Sequence, residues 1–292
     1  MKGSARRRLA GLAAALAAIA LPGRAVAQTA TIGVSPLRIE IALGSRPAAE
    51  AIQIMNLGSA PIELSVSVSN WILDEANQVK AIEPTEQSLD QWIVISPLRL
   101  TLQPGRLQTV RFTIRPKVKP EQGEHRAMVF FDEMPEAEPV VGRTRVVARV
   151  GVAVYAHVGE VTRRAVLDCL EVVTAKRAAA AVFDISSEGS AHARMSGRYV
   201  VWPADRFPGA SATAPAPPPV EGNSVVPDGA IEAATLPPTP VLPGFRRRIV
   251  MRLARELEPG DYVLEIDGQL GEQPLRLAYP FAVPPDSGAQ TR

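Results

Sequence analysis

The stretch "IELSVSVSN" alternates without a break: Ile62, Leu64, Val66 and Val68 fall on one side, Glu63, Ser65, Ser67 and Ser69 on the other. Successive side chains of an extended chain point to opposite faces, so a strict period of two calls for a strand with one buried face and one wet face. An antiparallel sheet offers that pair of faces. The habit recurs in "TIGVSPLRIEIAL", "EAIQIMN", "QWIVISPLRLTL", "LQTVRFTIRP", "HRAMVFFDEMP" and "TRVVARVGVAVYAHVGEV". Between these runs lie "ALGSRP", "NLGSAP" and "QPGR", where Gly and Pro supply turn geometry. About seven such segments within roughly 130 residues predict a β-sandwich of immunoglobulin type. Helical periodicity is scarce, and "EPTEQSLDQ" has room for one turn.

The 292 residues suit about two domains. A second set of strand-like runs begins near Val161 and includes "AVLDCLEVVTAKR", "AAAVFDISSEG", "HARMSGRYVVW" and "LEPGDYVLEID". In the last of these, Pro259-Gly260 reads as the turn and Tyr262, Leu264 and Ile266 share a face. The expected fold is therefore all-β, with two immunoglobulin-like β-sandwich domains over residues 28–160 and 161–284 and a disordered tail at 285–292. Residues 203–243 hold eleven of the chain's 27 prolines. Such a stretch supplies few ladder donors and buries little apolar surface, which predicts a disordered Pro-rich loop inserted in the second domain.

Residues 1–27 combine a basic start (Lys2, Arg6, Arg7, Arg8), an apolar run from Leu9 to Leu21 and a small-x-small site at Ala25-Val26-Ala27. This is the build of a secretory signal peptide, with an apolar run too short for a lasting membrane span. The Arg pair leaves both general and twin-arginine export open. With Arg24 the segment carries five cations and no acid, so its removal turns the formal charge of +2 into −3. A weakly acidic chain without a basic block gives no reason to propose nucleic-acid binding. No second apolar run is long enough for a span, so a periplasmic location is expected. Cys169 is the lone cysteine, which rules out an intrachain disulfide, and its apolar setting predicts a packed thiol.

Catalytic patterns are missing from the sequence. His125, His157 and His192 are far apart and lack metal-ligand spacing with Cys, Asp or Glu. There is no Gly-rich phosphate loop, nucleophile elbow or Cys/His arrangement. The expectation is a non-enzyme with no cofactor and no metal. A carbohydrate-binding sandwich would want exposed aromatics, whereas Trp71, Trp92 and Trp202 lie in or beside apolar runs that predict burial.

The order of the N-terminal segments is more specific. "VSPLRIEI" comes first, then a strand ending at Asn56, then "QWIVISPLRLTLQPGRLQTVRFTIRP", "PEQGEHRAMVFFDEMP" and a long final strand "VVARVGVAVYAHVG". This order resembles the PapD-like periplasmic chaperones of pilus (fimbrial) assembly, and "LQPGRLQTVRF" and "HRAMVFFDEMP" carry most of the likeness. The resemblance covers most of residues 30–284. It implies a protein that caps secreted pilin-like subunits by adding its long edge strand to their open groove, for delivery to an outer-membrane usher. It also implies a basic pair in the cleft that holds the subunit's C-terminal carboxylate. Arg38 matches the arginine of that pair, six residues before Gly44. Aligned on Tyr155, the lysine position falls on Val152 or Gly151, neither of which carries a charge. The donated face would consist of Val146, Ala148, Val150, Val152 and Val154, although the same face could equally fill the chain's own core.

The tetrapeptide SPLR occurs at 35–38 and again at 96–99. The segments after the two copies do not recur at a fixed period, so both copies read as one local habit, a Pro at a strand start, with Arg99 a solvated strand residue. The alternative to a chaperone is a periplasmic envelope scaffold with two immunoglobulin-like domains that never donates a strand.

Overall fold

The computed structural model describes residues 32–44, 47–74, 76–134, 147–209 and 225–285. The expected signal segment 1–27, Val146, and all but the first residue of the 285–292 tail lie outside the described residues. The alternating runs of the first half form β1 (Ile32–Ser35), β2 (Arg38–Leu43), β3 (Ala48–Asn56), β4 (Ile62–Leu73), β5 (Val79–Ile82), β6 (Ile93–Ser96), β7 (Arg99–Leu102), β8 (Leu107–Ile114), β9 (Gly123–Glu133) and β10 (Arg149–Val158). They build two sheets, ordered β1-β3-β8-β6 and β2-β10-β9-β4, with β5 and β7 both paired to β4. The second half adds β11 (Ala165–Ala175), β12 (Ala178–Ser187), β13 (Met195–Pro203), β14 (Glu232–Thr235), β15 (Arg246–Arg252), β16 (Gly260–Leu270) and β17 (Gln273–Val283). These form sheets ordered β11-β12-β15 and β14-β13-β16-β17. Each pair of sheets closes on its own apolar core, around Ile52, Leu64, Trp92 and Phe131 in the first and around Phe183, Val201, Leu264 and Ile266 in the second. The molecule is two immunoglobulin-like β-sandwiches. "EPTEQSLDQ" holds a single short helical turn at Leu89–Gln91. No helix among the described residues is long and apolar enough to cross a membrane.

The two SPLR copies perform the same manoeuvre at opposite edges of the first sandwich. β1 pairs with β3 in one sheet, and beyond the cis Ser35–Pro36 bond the chain joins the other sheet as β2, parallel to β10. β6 likewise pairs with β8, and beyond the cis Ser96–Pro97 bond the chain becomes β7 on β4. Proline has no amide to give a ladder, so it suits the point where a strand changes partners. The next carbonyls match as well: Leu37 O accepts from Ala153 N at 3.1 Å, and Leu98 O accepts from Val66 N at 2.8 Å.

β4 serves two cores through one alternation. Leu64 and Val66 face the first core, while Trp71 and Leu73, in the opposite phase, pack with Met128, Tyr155 and Leu242. Leu242 comes from the second half of the chain and is wholly buried, so this small cluster joins the sandwiches. Beside it, the buried Arg247 guanidinium of β15 donates to Leu73 O at 2.8 Å, to Asn77 Oδ1 at 3.1 Å and to Asp74 O. Asn77 Nδ2 returns a bond to Arg248 O at 3.1 Å.

Two expectations need correction. The Pro-rich stretch 203–243 is structured at both ends, while residues 210–224 lie outside the described set. Its return limb forms β14 on β13, and Leu236, Val241 and Leu242 are buried. Glu232 ties that limb down by accepting from the Tyr199 hydroxyl, Ala254 N (3.0 Å) and Arg255 N (2.7 Å). Prolines deplete ladder donors, but one buried carboxylate and three apolar anchors hold this limb regardless. Cys169 is exposed rather than packed. A shift in register between Leu167 and Cys169 breaks the alternation of β11 and turns the thiol outward. The tryptophans are buried as expected: Trp71, Trp92 and Trp202 are 2%, 0% and 4% exposed.

Candidate functional site

β10 is covered unevenly. On one side it pairs with β9 along its whole length, from Arg149↔Asp132 to Val158↔Gly123. On the other side β2 reaches only from Ala153 to Val158. Ala153 N points to Leu37 O, and in a ladder the hydrogen-bonding direction alternates from residue to residue. Arg149 and Gly151 therefore turn their amides and carbonyls to the same side, where no strand meets them among the described residues. The result is a short open edge, Ala148 to Val152, that ends where Arg38 begins.

The residues expected to form a donated face divide at this edge. Val152 and Val154 are 0% exposed and fill the first core, a correction to their expected place in a donated plug. Their side chains face the opposing sheet, and removing them would open the sandwich. Ala148 and Val150 lie in the same phase and are only partly buried against the same core. On the outer face Arg149 pairs with Asp132 and lies over the Phe130 ring, 4.9 Å from its centroid.

The two positions expected for a lysine, Gly151 and Val152, lie in packed surroundings. A Cβ at Gly151 would sit 3.0 Å from Met128 Sδ and 3.4 Å from Phe130 Cε1. A side chain at Gly151 would therefore displace the Met128 thioether by a few tenths of an ångström. A side chain at Val152 enters the core.

Positive charge in the cleft comes from elsewhere. Arg38 is half exposed, with Nε 3.3 Å from Glu40 Oε1, and Glu40 Oε2 also accepts from Arg163 at 3.2 Å. Arg126 stands opposite Tyr155 in the β9–β10 register and donates to Trp71 O at 3.2 Å. Arg194, from the second sandwich, donates to the Tyr155 hydroxyl at 3.1 Å. Burial lowers both the Arg126 and Arg194 guanidinium pKa values, and the like charge of Arg38 adds to the effect on Arg194. Burial likewise pushes the Tyr155 phenol up to about 12. Deeper in the seam, Glu124 of β9 accepts from the His192 backbone amide at 3.0 Å and faces His192 Nδ1 at 2.5 Å. Burial works to raise its pKa, but the nearby His157 and His192 rings and the His192 amide hold it down at about 2.

In outline the chain resembles the PapD-like chaperones of pilus assembly. Among solved structures, the class 5 fimbriae chaperone CfaA is 11% identical, with a TM-score of 0.43 over 85% of this chain and 98% of that one. The CsuC–CsuE chaperone–tip adhesion subunit pre-assembly complex from Csu pili of Acinetobacter baumannii gives 14% identity and 0.44 over 85% and 98%. The E. coli chaperone DraB gives 12% and 0.38 over 86% and 98%. No family model and no curated protein matches the sequence.

Sequence reasoning reached Arg38 and the β10 face but missed Arg126, Arg194 and the Glu124–His157–His192 group. Arg126 sits inside the strand-like run "HRAMVFFDEMP", so a periodicity count placing it on the outer face could have found it. Arg194 and His192 carry no local signal, since only the contact between sandwiches brings them to the cleft.

Proposed function

We propose that this chain is a periplasmic, non-enzymatic chaperone that caps secreted pilin-like subunits before an outer-membrane usher receives them. The observation that carries this reading is the open edge of β10 from Ala148 to Val152, which runs into Arg38 at the mouth of a basic cleft. An unpaired edge attracts another strand, and strand addition supplies main-chain hydrogen bonds with little sequence demand. The proposed contact residues are Arg38 and the partly buried Ala148 and Val150, together with Val146, which lies outside the described residues. Arg38, helped by Arg126 and Arg194, would meet a carboxylate through charge-assisted bonds, in the role for which the resemblance implies a lysine. The domain boundary proposed with this reading lies between residues 160 and 161.

The test is co-expression in the periplasm with a secreted subunit that lacks its last strand. An equimolar complex is expected on gel filtration, and Val150→Asp and Arg38→Ala should each cut its yield about tenfold. Unaltered yield in both variants would reject the site. The scaffold alternative draws on one observation, the engagement of Arg38 with Glu40, and predicts that same unaltered yield.

A further inference from the structure

We propose that Glu124, His157 and His192 form a zinc site that bridges the two sandwiches. Each offers one ligand atom, and the three atoms lie within 4.8 Å of one another. Two imidazoles and a carboxylate are a recurrent zinc donor set, and two nitrogens in three favour zinc over calcium or magnesium.

The donors are held from several directions. His157 and Glu124 are register partners in the β9–β10 ladder, so the sheet itself fixes their separation. His157 Nε2 lies 3.5 Å from Glu124 Oε2, close to the spacing of two ligands on one tetrahedral zinc. His192 arrives from the loop after β12, with its backbone amide bound to Glu124 and its ring 4.1 Å from the Tyr155 ring. His192 is 2% exposed, and the Glu124 side chain is fully enclosed.

Two buried atoms in this group lack a hydrogen-bond partner, Glu124 Oε1 and His157 Nε2. Orphaned buried polar atoms are rare and ask for a water or an ion. A zinc ion among the three side chains would engage His157 Nε2 and Glu124 at once. His192 Nδ1 and Glu124 Oε2, 2.5 Å apart, share a hydrogen bond that zinc would replace, displacing the proton and parting the two atoms by about 1 Å, so the neutral ring then holds its proton on Nε2. That nitrogen faces Glu40 Oε1 at 3.7 Å, in the outer position where carboxylates commonly orient zinc-bound histidines. Arg126 and Arg194 feel the Glu124 charge and oppose a second positive centre, which sets the affinity below that of a site free of such neighbours. His125 does not compete, because its ring nitrogens sit 2.7 Å and 2.8 Å from the carbonyls of Gln87 and Glu121.

The chain has three histidines and one cysteine, so background binding is low and the test is direct. Untagged full-length protein is stripped with a chelator, dialysed against zinc and assayed for bound metal. One zinc per chain is expected, and cobalt substituted for it should give the visible absorption of a tetrahedral centre. Nitrogen-15 spectra of the imidazole rings should shift for His157 and His192 and stay fixed for His125, a readout that needs no variant. His192→Ala and Glu124→Gln, checked for folding by circular dichroism, should each weaken binding at least tenfold. Absence of bound zinc, a shift confined to His125, or full binding by His192→Ala would overturn the proposal.

Discussion

Asn56 ends β3 with its side chain wholly buried, yet every polar atom of the amide is engaged. Nδ2 donates to Ala60 O at 2.8 Å and Leu102 O at 2.9 Å, and Oδ1 accepts from Gly58 N at 2.8 Å. One side chain thereby shapes the turn after β3 and secures the end of β7. Asn56→Ala leaves two carbonyls and one amide without partners, and the expected loss is roughly 2–3 kcal/mol in urea denaturation. Tyr199 offers a test by pH. Burial and the bond to Glu232 push its phenol above the ordinary range. A folded pKa above the unfolded one favours the neutral phenol, so the stabilisation is whole below about pH 10 and is lost as pH rises through the folded value. Spectroscopic titration should show a phenolate component that appears late, near alkaline unfolding, and is missing from Tyr199→Phe.

At the scale of the strand, one run of β10 serves both core and edge. Val152→Asp places an uncompensated carboxylate in the first core and should prevent folding, whereas Val150→Asp, two residues along, should leave melting within a few degrees of the parent. Thermal melts of the two variants check this directly, and equal damage in both would put Val150 in the core as well. The contrast shows where alternation is legible. In "IELSVSVSN" the pattern gave the buried face correctly, because a straight antiparallel strand keeps its phase. It failed at Cys169, where a bulge that leaves no mark on composition reverses the phase. It failed again along 225–243, where prolines outvoted Glu232, Leu236 and Leu242. The basic edge of the cleft was half readable: Arg38 lies on a recognisable first strand, while Arg194 reaches the site from another sandwich altogether.

At the scale of the molecule, two dissimilar contacts between the sandwiches, an apolar one at Leu242 and a polar one at Arg247, add to the seam of Tyr155–Arg194, Glu124–His192 and Glu40–Arg163. Leu242 fills a space among Trp71, Met128 and Tyr155, so Leu242→Ala should cost about 2–5 kcal/mol of coupling between the halves. Arg247→Ala strips the bonds from Leu73, Asp74 and Asn77 and should act in the same direction. Calorimetry is expected to show a single transition for the parent splitting into two for the double variant. The histidine pair escaped the sequence for the same physical reason: thirty-five positions separate His157 from His192, and the angle between sandwiches closes that gap.

The partial cover over β10 also sets a measure. Among the described residues, a visiting strand laid along its free side would run beside Ala148 to Val152, roughly 17 Å at strand rise. There it would abut Leu37, whose carbonyl already holds the Ala153 amide. The switch at Ser35–Pro36 would thus work as a hard stop: one end of an added strand would be set by where this chain's own β2 begins, and whichever end of the visitor reached that stop would come to rest beside Arg38.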